Sequence, residues 1–262
     1  MSRIQQAFQR LEASDKTALV SFIMAGDPDV ETTAQLLSAL VDAGTDIIEI
    51  GMPFSDPMAD GPTIQAAGQR ALASGTTLED IFGLVKTFRT QHAQTPIILM
   101  GYANSVYSHG TDVFIQHCVD AGVDGLIIVD LPPEEAEQLS GKLVEHDIDL
   151  IRLIAPTTKG ERLAEILKSC SGFVYYVSIT GITGSKTADI STIKPHIDEI
   201  KSLSSLPVCV GFGIKTPEDV QQFADVADGV VVGSSIVNKI HTSDSPVNEV
   251  QAFVATLKAA LA

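Results

Sequence analysis

Two acids in this chain sit where acids are costly or well placed for chemistry. Glu49 interrupts the β-branched run Ile47-Ile48-Glu49-Ile50, and Asp60 closes the segment Met52-Pro53-Phe54-Ser55-Asp56-Pro57-Met58-Ala59-Asp60 that follows. An ionised carboxylate among isoleucines loses its hydration, so it needs either a partner or a reaction that uses it. The following loop carries two prolines and further acids, which makes it stiff and polar and suited to holding a group over a strand end. Glu49 and Asp60 are therefore a candidate proton-transfer pair. The competing readings are a structural ion pair for Glu49 and a solvated or loop-capping acid for Asp56 and Asp60.

Three glycine turns form a candidate anion site: Thr180-Gly181-Ile182-Thr183-Gly184-Ser185, Gly211-Phe212-Gly213-Ile214 and Gly233-Ser234-Ser235. Glycine lets backbone N–H groups approach a ligand, and a helix starting at Ser234 adds its positive end. The bland alternative is three tight turns. Lys186 and Lys215 lie near these turns as surface or phosphate-neutralising groups. None of the apolar runs named below contains a lysine, which argues against Schiff-base chemistry. The histidines lack metal-ligand spacing and no G-x-S-x-G elbow is present, so no metal site and no serine hydrolase is expected.

The elements that must position these residues alternate along the chain. Apolar runs at 18–25, 46–51, 96–101, 125–130, 150–155, 173–178, 207–211 and 229–233 read as strands buried on both faces, separated by amphipathic helical stretches. Val30, Ala34, Leu37 and Val41 share one helical stripe, as do Val247, Val250, Val254, Leu257 and Leu261. Thr216-Pro217-Glu218-Asp219 reads as a helix start, and residues 63–92 as two helices parted near Ser74-Gly75. Eight parallel βα units predict an α/β fold, a single (β/α)8 TIM barrel with extra helices, as one catalytic domain over 1–262. An open doubly wound sheet is the alternative, disfavoured because no G-x-G-x-x-G follows the first strand.

A formal net charge of −16 excludes nucleic acid and anionic membranes as main partners, since both need a basic surface. The first residues read as neither a signal peptide nor a membrane span, so a cytoplasmic protein is expected. Cys118, Cys170 and Cys209 are expected as buried free thiols.

With these residues in place, the chain resembles the tryptophan synthase alpha subunit family over nearly its whole length. The segment 48–61 follows the family signature around both acids. Phe22, Gly26-Asp27-Pro28, Tyr102-Ala103-Asn104, Asp130-Leu131-Pro132-Pro133-Glu134-Glu135, Ala155-Pro156-Thr157-Thr158 and the glycine turns at 180–184 and 211–214 fit in order. The resemblance implies retro-aldol cleavage of indole-3-glycerol phosphate to indole and glyceraldehyde 3-phosphate, without metal or Schiff base. By resemblance, Glu49 is the general acid/base and Asp60 stabilises the charged indole. Phe22, Met100, Ile127, Tyr175, Thr183 and Phe212 bind substrate, with Tyr175 helping to place Glu49 and Thr183 in a loop that closes near Asp60. Gly184, Gly213, Gly233 and Ser234 bind the phosphate.

The resemblance further implies a beta-subunit partner in an alpha-beta-beta-alpha complex, faced by Phe54, Ser55, Asp56, Pro57, Asn104 and Pro132. No cofactor is expected on this chain, because pyridoxal phosphate belongs to the beta subunit. Ile179-Thr180 departs from the Arg-Ser or Arg-Thr of some relatives, which bears on loop closure and not on the chemistry. Among rivals, an indole-glycerol-phosphate synthase calls for lysines at strand ends, and a sugar-phosphate isomerase is another phosphate-binding barrel. A binding-only relative would have no need of Glu49, Asp60 and the glycine turns together.

Overall fold

A computed structural model of the chain describes residues 1–177, 190–211 and 213–261. The chain opens with α1 (Arg3–Glu12), whose start is fixed by a capping box between Ser2 and Gln5. It then runs β1 (Ala18–Met24), α2 (Val30–Asp42), β2 (Ile47–Gly51), α3 (Pro62–Ala73), α4 (Leu78–Arg89), β3 (Ile97–Gly101), α5 (Ala103–His109), α6 (Thr111–Ala121) and β4 (Gly125–Ile128). The second half runs α7 (Pro133–Val144), β5 (Asp149–Leu150), β6 (Arg152–Ile154), α8 (Gly160–Lys168), β7 (Val174–Val177), α9 (Ile190–Leu203), β8 (Val208–Gly211), α10 (Pro217–Ala224), β9 (Gly229–Val232), α11 (Ser234–Thr242) and α12 (Pro246–Ala259).

The strand order is β5-β4-β3-β2-β1-β9-β8-β7-β6, and each pair of neighbours is parallel. Its two ends, β5 and β6, are halves of one strand interrupted only at Ile151. The first half pairs with β4 and the second with β7, while the Ile151 N–H donates to the Leu126 carbonyl at 2.9 Å. The ring is thereby closed, and the architecture is the eight-stranded α/β barrel that the βα rhythm predicts. The continuous fifth strand expected at 150–155 is broken at this point. Ile151 turns inward toward Gly125, where an added Cβ would meet the Ile151 side chain at 2.7 Å.

Alternation along the strands sorts the apolar residues into two layers. Inward positions such as Val20, Ile47, Ile98, Ile127, Ile151, Phe173 and Val231 fill the barrel together with Ile4, Ala7, Phe8 and Leu11 of α1. Outward positions such as Leu19, Ile48, Leu99, Leu126, Val210 and Val230 pack against the helices. Fully burying each large aliphatic side chain contributes about 1.5–3 kcal/mol. The α2 stripe is centred one position away from the expected one, on Thr33, Leu36, Leu37 and Leu40, with Val30, Ala34 and Val41 at its margin. Thr216 caps α10, and residues 63–92 divide into α3 and α4, as the sequence predicts. A second doubled crossover, α5 and α6, meets at Gly110, whose φ of +88° suits glycine. No helix of the described residues is long and apolar enough to cross a membrane.

The end of the barrel at the N-termini of the strands is closed by α1 and locked electrostatically. Asp124, 3% exposed, accepts from Arg3 Nη1 at 2.7 Å, from the Ile97 N–H at 2.7 Å and from Arg89 Nη2. Arg89 also donates to the carbonyls of Gly122, His92 and Thr95. Removing one partner of such a buried network leaves the other charge stranded, at a cost of about 3–5 kcal/mol. Asp124→Ala should therefore lose that much stability in urea unfolding. A loss below about 1 kcal/mol, the range of an exposed pair, would show that the node is not desolvated.

Candidate active site

Glu49 occupies an inward position of β2, in register with Phe22 on β1 and Ile98 on β3. It is 0% exposed, and neither carboxylate oxygen has a hydrogen-bond partner among the described residues. Desolvation pushes its pKa up to about 8, so the group carries its proton near neutral pH. The structural ion pair weighed for Glu49 is thus not formed among the described residues.

Tyr175 reaches into the same interior from β7. Its hydroxyl is held well above its ordinary pKa, first by burial and then by the Glu49 charge. Gly211 makes room for it, since a Cβ there would lie 2.5 Å from the Tyr175 hydroxyl oxygen. Gly211 therefore accommodates Tyr175, a different use from the backbone approach to an anion expected of that turn.

Asp60 is half-buried in the loop between β2 and α3. Its Oδ2 accepts from the Tyr102 hydroxyl at 3.1 Å, and that hydroxyl accepts from the Ala59 N–H at 3.0 Å. Burial raises the Asp60 pKa and the Tyr102 bond opposes the rise. The Tyr102 ring, 2% exposed, stacks on Phe54 with centroids 5.0 Å apart.

A narrow cleft opens here, lined by Phe22, Met24, Gly51, Met52, Asp60, Ile64, Met100, Gly101, Tyr102 and Val129. Phe22 and Met100 line it as anticipated, whereas Ile127 and Tyr175 lie deeper in the barrel. Met24, Met52, Ile64, Val129 and Tyr102 were not singled out as site residues. The signal for the strand residues among them was available: they stand at or just beyond the C-terminal ends of strands, where barrel sites gather.

Gly213 has φ +78° and leads into Ile214, whose carbonyl accepts from Ser235 Oγ at 3.5 Å. The loop after β8 therefore meets the start of α11, where Ser234 is the first residue and Gly233 precedes it. No side chain among the described residues caps the start of α11. Thr183, Gly184, Lys186 and the rest of the turn at 180–185 lie outside the described residues, as does Phe212.

The residues assigned to a partner surface follow three adjacent strands. Phe54 is half-buried against Tyr102, Ser55 and Asp56 are exposed and bonded to each other at 2.5 Å, and Pro57 is half-buried. Asn104 is exposed in the first turn of α5, and Pro132 precedes α7. The Ala103 N–H donates to Asp130 at 2.7 Å, joining the loops after β3 and β4.

The raised Glu49 pKa has a consequence for stability. The native state holds a proton that the unfolded chain releases in the ordinary carboxylate range, so Glu49 lowers unfolding free energy as pH rises from about 5 through about 8. Glu49→Gln should remove that decline and be the more stable protein above pH 8. Urea unfolding of both across this range measures it, and parallel curves would show that Glu49 is not held protonated.

Comparison with known proteins agrees with this geometry. The family described as "Tryptophan synthase alpha chain" matches residues 8–262. A structure of tryptophan synthase subunit alpha from Legionella pneumophila str. Paris is 41% identical, with TM-score 0.92, covering 100% of this chain and 98% of that one. Tryptophan synthase from M. tuberculosis in its aminoacrylate-bound form includes a chain 34% identical, with TM-score 0.90 and 100% of both chains covered. A match over this length, together with an unpaired acid inside the barrel and a second acid at its mouth, leads to one conclusion: the chain belongs to the tryptophan synthase alpha chain family, lyases that cleave indole-3-glycerol phosphate to indole and glyceraldehyde 3-phosphate.

Proposed function

We propose that Glu49 and Asp60 divide the work of this cleavage between them. The observation that carries the proposal is the fully buried, unpaired Glu49 carboxyl with its pKa near 8. A protonated Glu49 donates to the indole carbon that bears the glycerol chain, placing positive charge on the ring system. Asp60 as carboxylate accepts the indole N–H and stabilises that charge. The Glu49 carboxylate then takes the proton of the side-chain hydroxyl next to the ring. The carbon-carbon bond breaks, its electrons return to the ring, and the hydroxyl carbon leaves as the aldehyde.

Phe22 and Met100 offer apolar surface to the indole at the mouth of the barrel. Backbone donors at Gly213, Gly233 and Ser234, with Gly184, hold the phosphate at the positive end of α11. Thr183, Phe212, Ile127 and Tyr175 complete the substrate contacts proposed by resemblance. The segment 54–57, Asn104 and Pro132 face a pyridoxal-phosphate-bearing beta subunit in an alpha-beta-beta-alpha assembly in the cytoplasm, and this chain itself carries no cofactor. The 79% exposure of Met58 beside that segment supports an apolar contact there.

Mixing the purified chain with indole-3-glycerol phosphate and following indole tests the reading. Glu49→Gln should reduce turnover at least about a hundredfold while substrate still binds, and Asp60→Asn should be severely impaired. Near-normal turnover by Glu49→Gln would remove it from the mechanism. A bulky residue at Gly213, where φ is +78°, should weaken binding of glyceraldehyde 3-phosphate more than that of indole. Equal losses for both ligands would contradict the phosphate assignment.

A further inference from the structure

Asp60 is held from two sides, and only one of them acts on its side chain. While Tyr102 donates to the carboxylate, Gln65 reaches back from the first turn of α3 beneath the loop. Its Nε2 donates to the Asp60 carbonyl at 2.8 Å and to the Pro57 carbonyl at 3.3 Å. A side-chain amide has two N–H bonds, so these two contacts use both. The same Pro57 carbonyl accepts the Asp60 N–H at 3.2 Å, closing a turn that Gln65 clamps at both ends.

Gln65 is itself well fixed. Its backbone N–H donates to the Gly61 carbonyl at 2.9 Å, and α3 is anchored further along through Arg70. That guanidinium makes two bonds of 2.7 Å to Asp27, which is 1% exposed in the connection between β1 and α2. Ser74 Oγ donates to the Gly26 carbonyl at 3.2 Å in the same connection. A bidentate charged pair of this kind fixes geometry as well as distance. The acid-bearing loop therefore rests on a helix tied to a neighbouring part of the barrel rim.

We propose that Gln65 is a positioning residue for the cleavage: its amide sets the backbone from which Asp60 presents its carboxylate to the indole N–H, and ties that backbone to Pro57. The proposal rests on the role given to Asp60 above. A charge-stabilising group matters most as the ring becomes positive, so misplacing it lowers turnover more than substrate binding. Because one amide holds both carbonyls, a displacement of Pro57 at the rim is also passed to Asp60.

Gln65→Met keeps the length without donors, and Gln65→Glu keeps the shape while facing both carbonyls with acceptors. Each is made alone and together with Asp60→Asn, and indole release from indole-3-glycerol phosphate is measured. The single variants should lose about tenfold in kcat with KM changed less than about twofold. Added to Asp60→Asn, they should cost nothing more, because Gln65 acts through that carboxylate. Equal losses with and without the Asp60 carboxylate would mark a general structural role and overturn the proposal, as would wild-type kcat in both variants while Asp60→Asn is impaired. Normal turnover by Asp60→Asn would instead remove the Asp60 role itself, and Gln65's with it.

Discussion

A carboxyl group kept dry and without a hydrogen-bond partner inside a closed ring of strands is the constraint on which the site depends. Water would return Glu49 to the ordinary carboxylate range, and a lysine or arginine beside it would hold it ionised. The side chain is 0% exposed, and no lysine or arginine among the described residues pairs with it. The ring shuts where the two halves of the interrupted strand join β4 and β7, and Ile47 and Ile98 stand beside Glu49 as apolar walls. Burial inside the closed ring raises the Glu49 pKa to about 8, and the cost of burying the group is carried by the apolar layers around it.

The two ends of the barrel treat acids in opposite ways. At one end Asp124 is surrounded by Arg3, Arg89 and a backbone N–H, so its charge is satisfied and it holds α1 in place. At the other, Asp60 lines the cleft and, among the described residues, its carboxylate receives one neutral hydroxyl, from Tyr102. Both are aspartates near strand termini. What differs among the described residues is the number and charge of the donors converging on each: two guanidinium groups and a backbone N–H on Asp124, one hydroxyl on Asp60.

Much of this was readable from residues alone. Glu49 among isoleucines announced a buried acid, and the alternation of apolar runs announced eight strands, because both follow from local pattern and the cost of burying charge. The start of α10 was equally visible in Thr216 and Pro217. Tyr102 and Gln65 were not, since their importance comes from reaching a loop folded back over them, which no periodicity records. The break at Ile151 also escaped, since no residue type there marks it. Gly211 has a use that the sequence did not signal: its missing side chain makes room for the Tyr175 ring across the strand pair.

The docking of α1 has a consequence for the order in which the molecule is made. Ser2 donates to Asp149 at 2.7 Å and Arg3 to Asp124, partners 147 and 121 residues further along the chain. During synthesis α1 emerges before Asp124 and Asp149, so the acceptors for Arg3 and Ser2 are missing until the chain reaches β4 and β5. β1 can pair with β2 soon after it is made, but its other edge waits for β9, which it meets through Ala18 and Gly229. The earliest segments must therefore remain unsatisfied while most of the barrel is built, their apolar faces exposed in the meantime. The helix that seals the floor is born first and seated late, so a nascent chain that stops short of β5 lacks the acceptors for Ser2 and for the floor it would close.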